Sequence, residues 1–223
     1  MRCSPLNRAL YLIRGFVKKF IFEQVHIELN LQHQRTLMLK IEDFLAQEIV
    51  ALDSQLNAAV AGMSYMEKDD FLESESFRVE QTKHTFPQLQ RTSSLISLYL
   101  TLENSLNFLC QTGSRYSDSA VELVDLVNTN LIERAKIYLV KVLKLNFPQE
   151  SPAWKEIGKI QQIRNALVHN NGIVKSGNTS LISYIKQCDY IELVDYKIVI
   201  KRGFVEHACN IIEKFFYDFF KEN

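Results

Sequence analysis

The sequence predicts a mainly α-helical fold, and three observations carry that prediction. Glycine and proline are scarce, at 7 and 4 of 223 residues, so a long chain has few turn formers and calls for long helices and few hairpins. Apolar residues recur at three- and four-residue steps along most of the chain, the spacing of one helix face. Only residues 180–201 change period, where Ile, Tyr and Val gather in short runs. The length suits one domain, or one domain with an N-terminal extension.

Residues 6–30 carry the first helical pattern. Arg8, Arg14, Lys18 and Lys19 interrupt its apolar residues. A spanning helix needs about 20 predominantly apolar residues, and a signal peptide needs a clean apolar run with a small-residue cleavage site. Neither is met, so we expect a cytoplasmic chain with no membrane partner. The first helix then packs on the domain or on another protein, with a helix lying on a membrane surface as the alternative. A second pattern covers 35–61, with Leu37, Ile41, Phe44, Leu45, Ile49, Leu52, Leu56 and Val60 in one stripe. Residues 67–84 are charged and poorly periodic and read as a linker or an exposed turn of helix.

Pro87 opens a long helix with Leu95, Leu98, Tyr99, Leu102, Leu106 and Leu109 on one side, and Gly113 is its stop signal. A further helix is expected from Asp118 to Leu145, before the Pro148–Pro152 break. Ser151 then reads as an N-cap with Pro152 at the first helical position, and that helix runs to about Asn170 and closes at Asn171–Gly172. Residues 180–186, 189–194 and 197–201 read as strands. A last helix over about 203–221 carries Phe204, Phe215, Phe216, Tyr217, Phe219 and Phe220 and reads as core, or as core plus an oligomer interface.

Composition narrows the function. The 26 basic and 26 acidic residues cancel, so bulk charge does not point to nucleic acid, and any RNA contact must come from a local cluster or one completed by a second subunit. The four cysteines form no C-x-x-C pair, which argues against a zinc knuckle or a thioredoxin-like site. Cys110 and Cys209 lie in apolar helical patterns and read as buried thiols. His26 and His33 lack acidic or cysteine partners at helical spacing, so no metal site is expected, and no cofactor.

The chemistry sits in 157–172, IGKIQQIRNALVHNNG. Arg164 is followed at once by Asn165 and, five residues on, by His169. Cleavage of RNA by its own 2′-hydroxyl wants such a set. An imidazole moves a proton at the attacking or leaving oxygen, and a guanidinium holds the phosphate with a planar fork. Asn165 and His169 are four apart and share a face, whereas Arg164 and His169 point about 140° from each other. A twofold axis beside the helix would close that gap, so we expect a composite site in a homodimer. His169 in the last turn sits where the helix dipole favours a cation. The spacing alone is weak, since Arg78 to His84 and Arg202 to His207 also fit. Only Arg164 has a polar residue directly after it and a well-bounded helix around it.

That context resembles the HEPN superfamily. IRNALVHNNG looks like its signature, an arginine commonly followed by Asn, Asp or His and then a histidine four to six residues on. Residues 91–110, RTSSLISLYLTLENSLNFLC, are similar to an earlier core helix of such domains, and Glu103 falls where many members carry an acidic residue. The resemblance covers about 86–222, which divides the chain into a helical extension, 1–85, and a HEPN-like domain, 86–223. It implies an up-and-down helical bundle, here with a small β insertion near 180–201. It also implies a dimer and, in many members, a metal-independent endoribonuclease of toxin or defence systems. Some HEPN toxins are modified on a tyrosine two residues after the histidine; here that position is Asn171, which departs from the pattern.

Each feature also has a plainer reading. His169 can be an ordinary C-terminal histidine of a helix, Arg164 can form a structural ion pair with Glu103, and Asn165 can be a surface residue. Lys155 and Lys159 can be a solvated face or an RNA track beside Asn170 and Asn171. The expectation is an RNA-cleaving homodimer in which His169 moves protons, Arg164 binds phosphate, Asn165 positions the histidine or the phosphate, and Glu103 orients Arg164. An antitoxin or regulatory protein is a possible further partner. The alternative is a non-catalytic HEPN module for dimerisation or partner binding, with 1–85 as the partner surface.

Overall fold

The structure, a computed structural model, describes residues 20–117, 119–127 and 130–223. The helix expected over 6–19, Cys3, and the helix start expected at Asp118 lie outside these. The described chain is mainly helical with one small two-stranded sheet.

Helix α1 runs Ile21–Ala59 without interruption, whereas the sequence suggested a break near 31–34. No glycine or proline stands there, and Leu31 is buried, so nothing stops the helix. Of the two readings of 67–84, a linker or an exposed turn of helix, the helical one is nearer. Helix α2, Tyr65–Glu80, opens on a capping box in which the Ser64 amide donates to Glu67 Oε2 at 2.8 Å and the Glu67 amide donates to Ser64 Oγ at 3.5 Å. Those bonds hold the Glu67 carboxyl below its ordinary value. Phe71, Glu75 and Val79, four apart, form its half-buried face. A wide π-helical turn, Gln81–Thr85, leads into α3, Phe86–Ser114. Pro87 has no amide to donate to the carbonyl four residues back, so it sits beside a widened turn rather than opening a separate helix.

Gly113 does not end α3 by a left-handed turn. A Cβ there would run into Leu143 Cδ1, so the glycine marks a close approach. The helix expected over 118–145 is shorter: α4 spans Leu131–Ile137, capped by Asn130 and followed by a wide turn, Tyr138–Val142. Upstream, Ser117 and Ser119 hydroxyls accept amides two residues on at 3.1 Å, and Asp125 accepts the Glu122 amide at 2.8 Å. Such local bonds compete with helix formation.

Helix α5, Pro152–His169, follows the sequence reading closely, with the Trp154 amide donating to Ser151 Oγ at 3.1 Å. The expected strand 180–186 is instead a helix, α6, Thr179–Gln187. Asn178 caps it by accepting the Leu181 amide at 3.2 Å, and Leu181 and Ile185, four apart, are its buried face. Strands β1, Ile191–Val194, and β2, Lys197–Ile200, pair antiparallel from Ile191↔Ile200 to Val194↔Lys197. Helix α7, Phe204–Glu222, closes the chain.

Two compact units are formed, and each takes segments from both sides of residue 85. The first comprises the described residues up to Leu31, with Leu100–Lys155 and Ile211–Asn223. Its core stacks Phe147, Trp154, Phe215 and Phe219, with ring centroids 4.7–6.4 Å apart. Phe216 and Phe220 are buried too, while Tyr217 is exposed. The second comprises Gln32–Tyr99 and Glu156–Asn210. Its core holds Leu95, Leu98, Ile157, Ile160, Ile163, Leu181, Ile185, Ile198 and Phe204. Gln88 ties β2 down, accepting the Ile200 amide at 2.9 Å and donating to the Ile198 carbonyl at 3.3 Å. Arg91 grips Glu42 through two bonds, 2.7 and 2.9 Å, and also donates to the Ile200 carbonyl at 3.3 Å.

Candidate active site

The second unit holds Arg164, Asn165 and His169 on α5. Ile157, Ile160, Ile163 and Ala166 are the buried stripe of that helix. Asn165 and His169 stand exposed on another side, and Arg164 is half-buried. Its guanidinium lies over the Tyr99 ring, 5.5 Å from the centroid, a cation–π contact. Arg164 Nη1 donates to Asn165 Oδ1 at 3.0 Å, so Asn165 engages the arginine, a contact the sequence reading did not assign to it. Arg164 Nε is buried and has no hydrogen-bond acceptor among the described residues. A buried donor left unpaired is a costly and uncommon arrangement.

His169 is the last residue of α5, and its ring makes no hydrogen bond or ion pair to any described residue. The chain then reverses. Asn171 and Gly172 both take left-handed backbone, φ 51° and 79°. The Ala166 carbonyl accepts the amides of Asn170 at 3.0 Å and Gly172 at 2.9 Å. Two bonds hold the loop to the hairpin: Ile198 amide to Gly172 carbonyl and Val174 amide to Tyr196 carbonyl, both 2.9 Å, with Ile173 bridged to Lys197. Exposed His169 therefore sits at a helix end with a fixed exit.

The other expected residues are spread out. Lys159 Nζ donates to Ser180 Oγ at 2.5 Å, linking α5 to α6. Lys155 pairs with Glu150 at 3.1 Å in the first unit, and both are well exposed. Asn170 and Asn171 are exposed, and the Asn170 carbonyl accepts the Ile173 amide at 2.9 Å. Glu103 is half-buried and belongs to the first unit, whereas Arg164 belongs to the second. His26 contacts Asn30 Nδ2 at 3.0 Å and packs on Phe108, 5.1 Å between centroids.

The competing pair, Arg202 and His207, has separate engagements. Arg202 meets Asp43 at 2.8 Å. His207 Nε2 meets Glu156 Oε1 at 2.9 Å, the oxygen that also accepts the Tyr184 hydroxyl at 3.0 Å. Burial first, and then the Glu156 charge, push the Tyr184 phenol well above its ordinary value. A cleft of about 210 Å³ nearby is lined by Glu42, Arg91, Arg202 and Glu206, but both arginines already meet carboxylates.

Tyr99 is the site residue that sequence reasoning missed. It lay in the apolar stripe of α3 and read as core, which it also is, at 1% exposure. Its second use depends on which residue crosses its face, 65 positions on, and no local pattern carries that.

The chain matches no protein-family model, no curated protein and no solved structure. Among the described residues, no helix is long and apolar enough to cross a membrane.

Proposed function

We propose that this protein is a metal-independent endoribonuclease of HEPN type, a cytoplasmic homodimer in a toxin or antiphage-defence setting. One observation carries the reading. His169 stands exposed and unbonded at a helix end whose exit is fixed, five residues after an arginine that Tyr99 and Asn165 hold in place. His33 and His84 are exposed and unbonded among the described residues as well, so what marks His169 is its place at a fixed helix end after a held arginine. An exposed, unbonded histidine beside a restrained arginine suits proton transfer next to a phosphate.

In the proposed reaction the 2′-oxygen attacks the adjacent phosphorus as its proton passes to solvent water, and the bond from phosphorus to the 5′-oxygen breaks. The leaving oxygen takes a proton from an imidazolium. The products are a 2′,3′-cyclic phosphate and a 5′-hydroxyl. Arg164 stabilises the charge on the phosphoryl oxygens, and its unpaired Nε would gain an acceptor if the guanidinium turned toward phosphate. Asn165 restrains Arg164. Lys159, Asn170 and Asn171 flank the path of the RNA. The histidine of one subunit and the arginine of the other form each site.

The test is cleavage of a mixed-sequence RNA by wild type, His169→Ala and Arg164→Ala, in buffer with and without chelator. Wild type is expected to release fragments whose 5′ ends accept label directly from polynucleotide kinase, with chelator present. His169→Ala is expected to lose about 10²- to 10⁴-fold in rate. Equal survival of RNA with wild type and His169→Ala would end the nuclease reading.

A second reading, a non-catalytic partner-binding module, draws on one feature. Phe44, Tyr65, Met66, Phe77 and Leu89 are half or more exposed on α1, α2 and α3, an apolar display that suits protein contact. Unchanged RNA in the same assay would favour it.

A further inference from the structure

We infer that Tyr196, at the tip of the β-hairpin, is a base-stacking platform of the same site, so that the RNA substrate is single-stranded beside the cleaved phosphate. The inference rests on the nuclease reading and deepens it.

The hairpin turn has two residues, Asp195 and Tyr196, between paired Val194 and Lys197. Their φ values, 49° and 63°, are both left-handed. Two-residue turns of this hand strongly favour Asn-Gly or Asp-Gly, because the second position is strained for any residue with a Cβ. Aspartate tolerates the conformation. Tyrosine is a bulky residue where glycine would be relaxed, and such an outlier is grounds for asking what the side chain does. It does not fill the core: Tyr196 is 52% exposed. The turn therefore keeps an unfavourable residue that is half exposed to water.

Its location supplies the use. The Tyr196 carbonyl accepts the Val174 amide, and the next residue, Lys197, is bridged to Ile173. Ile173 is four residues past His169, so their Cα atoms lie within about 14 Å. Asn170 and Asn171 are exposed on the intervening turn. The hairpin thus presents an aromatic residue beside the loop that follows the candidate proton donor. Asp195 and Lys197 flank the tyrosine with opposite charges, so the tip has no net attraction for phosphate. Stacking is what remains. Unpaired RNA bases stack on exposed aromatic rings, largely without regard to sequence, whereas paired bases have no free face.

The experiment measures binding of a labelled single-stranded RNA oligonucleotide and the matching duplex by fluorescence anisotropy. It uses His169→Ala protein to prevent cutting, with the further changes Tyr196→Ala, Tyr196→Gly and Tyr196→Trp. Single strands are expected to bind better than duplex. Tyr196→Ala and Tyr196→Gly are expected to weaken single-strand binding about 5- to 150-fold, and Tyr196→Trp to retain it. Tyr196→Gly is also expected to raise the urea midpoint, since the turn relaxes as the platform is lost. Stability rising while affinity falls separates the platform from a structural role. Unchanged affinity in Tyr196→Ala, or duplex bound as well as single strand, overturns the inference. If wild type nevertheless cleaves RNA, the nuclease reading survives that result. A wild type that neither binds nor cleaves RNA overturns both.

Discussion

Arg164 has two kinds of neighbour, a ring beneath it and an amide beside it, while its own Nε meets no acceptor among the described residues. A lysine would keep the charge but lose the planar fork. Arg164→Lys is therefore expected to lower kcat about 10²- to 10³-fold, the usual loss for one stabilising donor at a developing charge. Its thermal midpoint should move little, because a cation–π contact at a half-buried site is worth about 0.5–2 kcal/mol and lysine keeps part of it. Single-turnover cleavage and a melting curve on one preparation check both halves. A proportional loss of stability and activity would make Arg164 a structural residue. His169 differs in kind, since nothing described holds its ring, and its removal is expected to leave the fold within about 0.5 kcal/mol of wild type.

At the scale of elements, the exit of α5 gives a sharp expectation. Gly172→Ala places a Cβ on left-handed backbone, φ 79°, and is expected to destabilise by about 1–2 kcal/mol, read as a lower urea midpoint at unchanged slope. Activity should fall further than that loss explains, because His169 and the hairpin share that turn. The sequence made this part legible: Ser151, Pro152 and Asn171–Gly172 bounded α5 to within a residue or two. Three others it misread or left open. Residues 67–84 follow the cap at Ser64, but their charged, weakly periodic face left linker and helix both open, because this helix buries little of itself. Residues 180–186 are rich in β-formers, and the cap at Asn178 with Leu181 and Ile185 four apart outweighed them. Residues 118–130 have apolar spacing, yet serine and aspartate side chains take the amides that a helix would need. In each case side-chain bonding to the backbone decided between patterns that apolar spacing left close. The candidate site was legible as a list on α5, but not in its support, because Tyr99 and Tyr196 come from α3 and the hairpin.

The whole molecule sets two further expectations. If each site takes Arg164 from one subunit and His169 from the other, two dead variants rescue each other. Arg164→Ala and His169→Ala, mixed after mild unfolding and refolding, are expected to recover about a quarter of wild-type cleavage, since half the dimers are mixed and each has one whole site. No recovery from a confirmed mixed dimer would place both residues of a site in one chain. Alkaline stability is the second. Burial pushes the Cys110 thiol from 9.0 up to about 12, and the Tyr184 phenol is also raised. Groups raised in the folded state hold their protons more tightly there, so their contribution is whole below the unfolded value and is lost as pH climbs toward the folded one. Urea midpoints should fall from about pH 9 upward, and Cys110→Ala should remove up to about 1.4 kcal/mol per pH unit of that slope.

Helix α3 carries one more consequence. Gln88 and Arg91 fasten β2, and Tyr99 underlies Arg164. Gln88 and Tyr99 are eleven residues apart, about three turns, so they face the same way roughly 16 Å apart. The helix thus works as a caliper whose jaws hold the hairpin and the arginine at a set gauge. An extra residue inserted between Arg91 and Tyr99 would leave one jaw seated and swing the other by about 100°. Such a chain should still fold its hairpin, yet its arginine would have lost its seat.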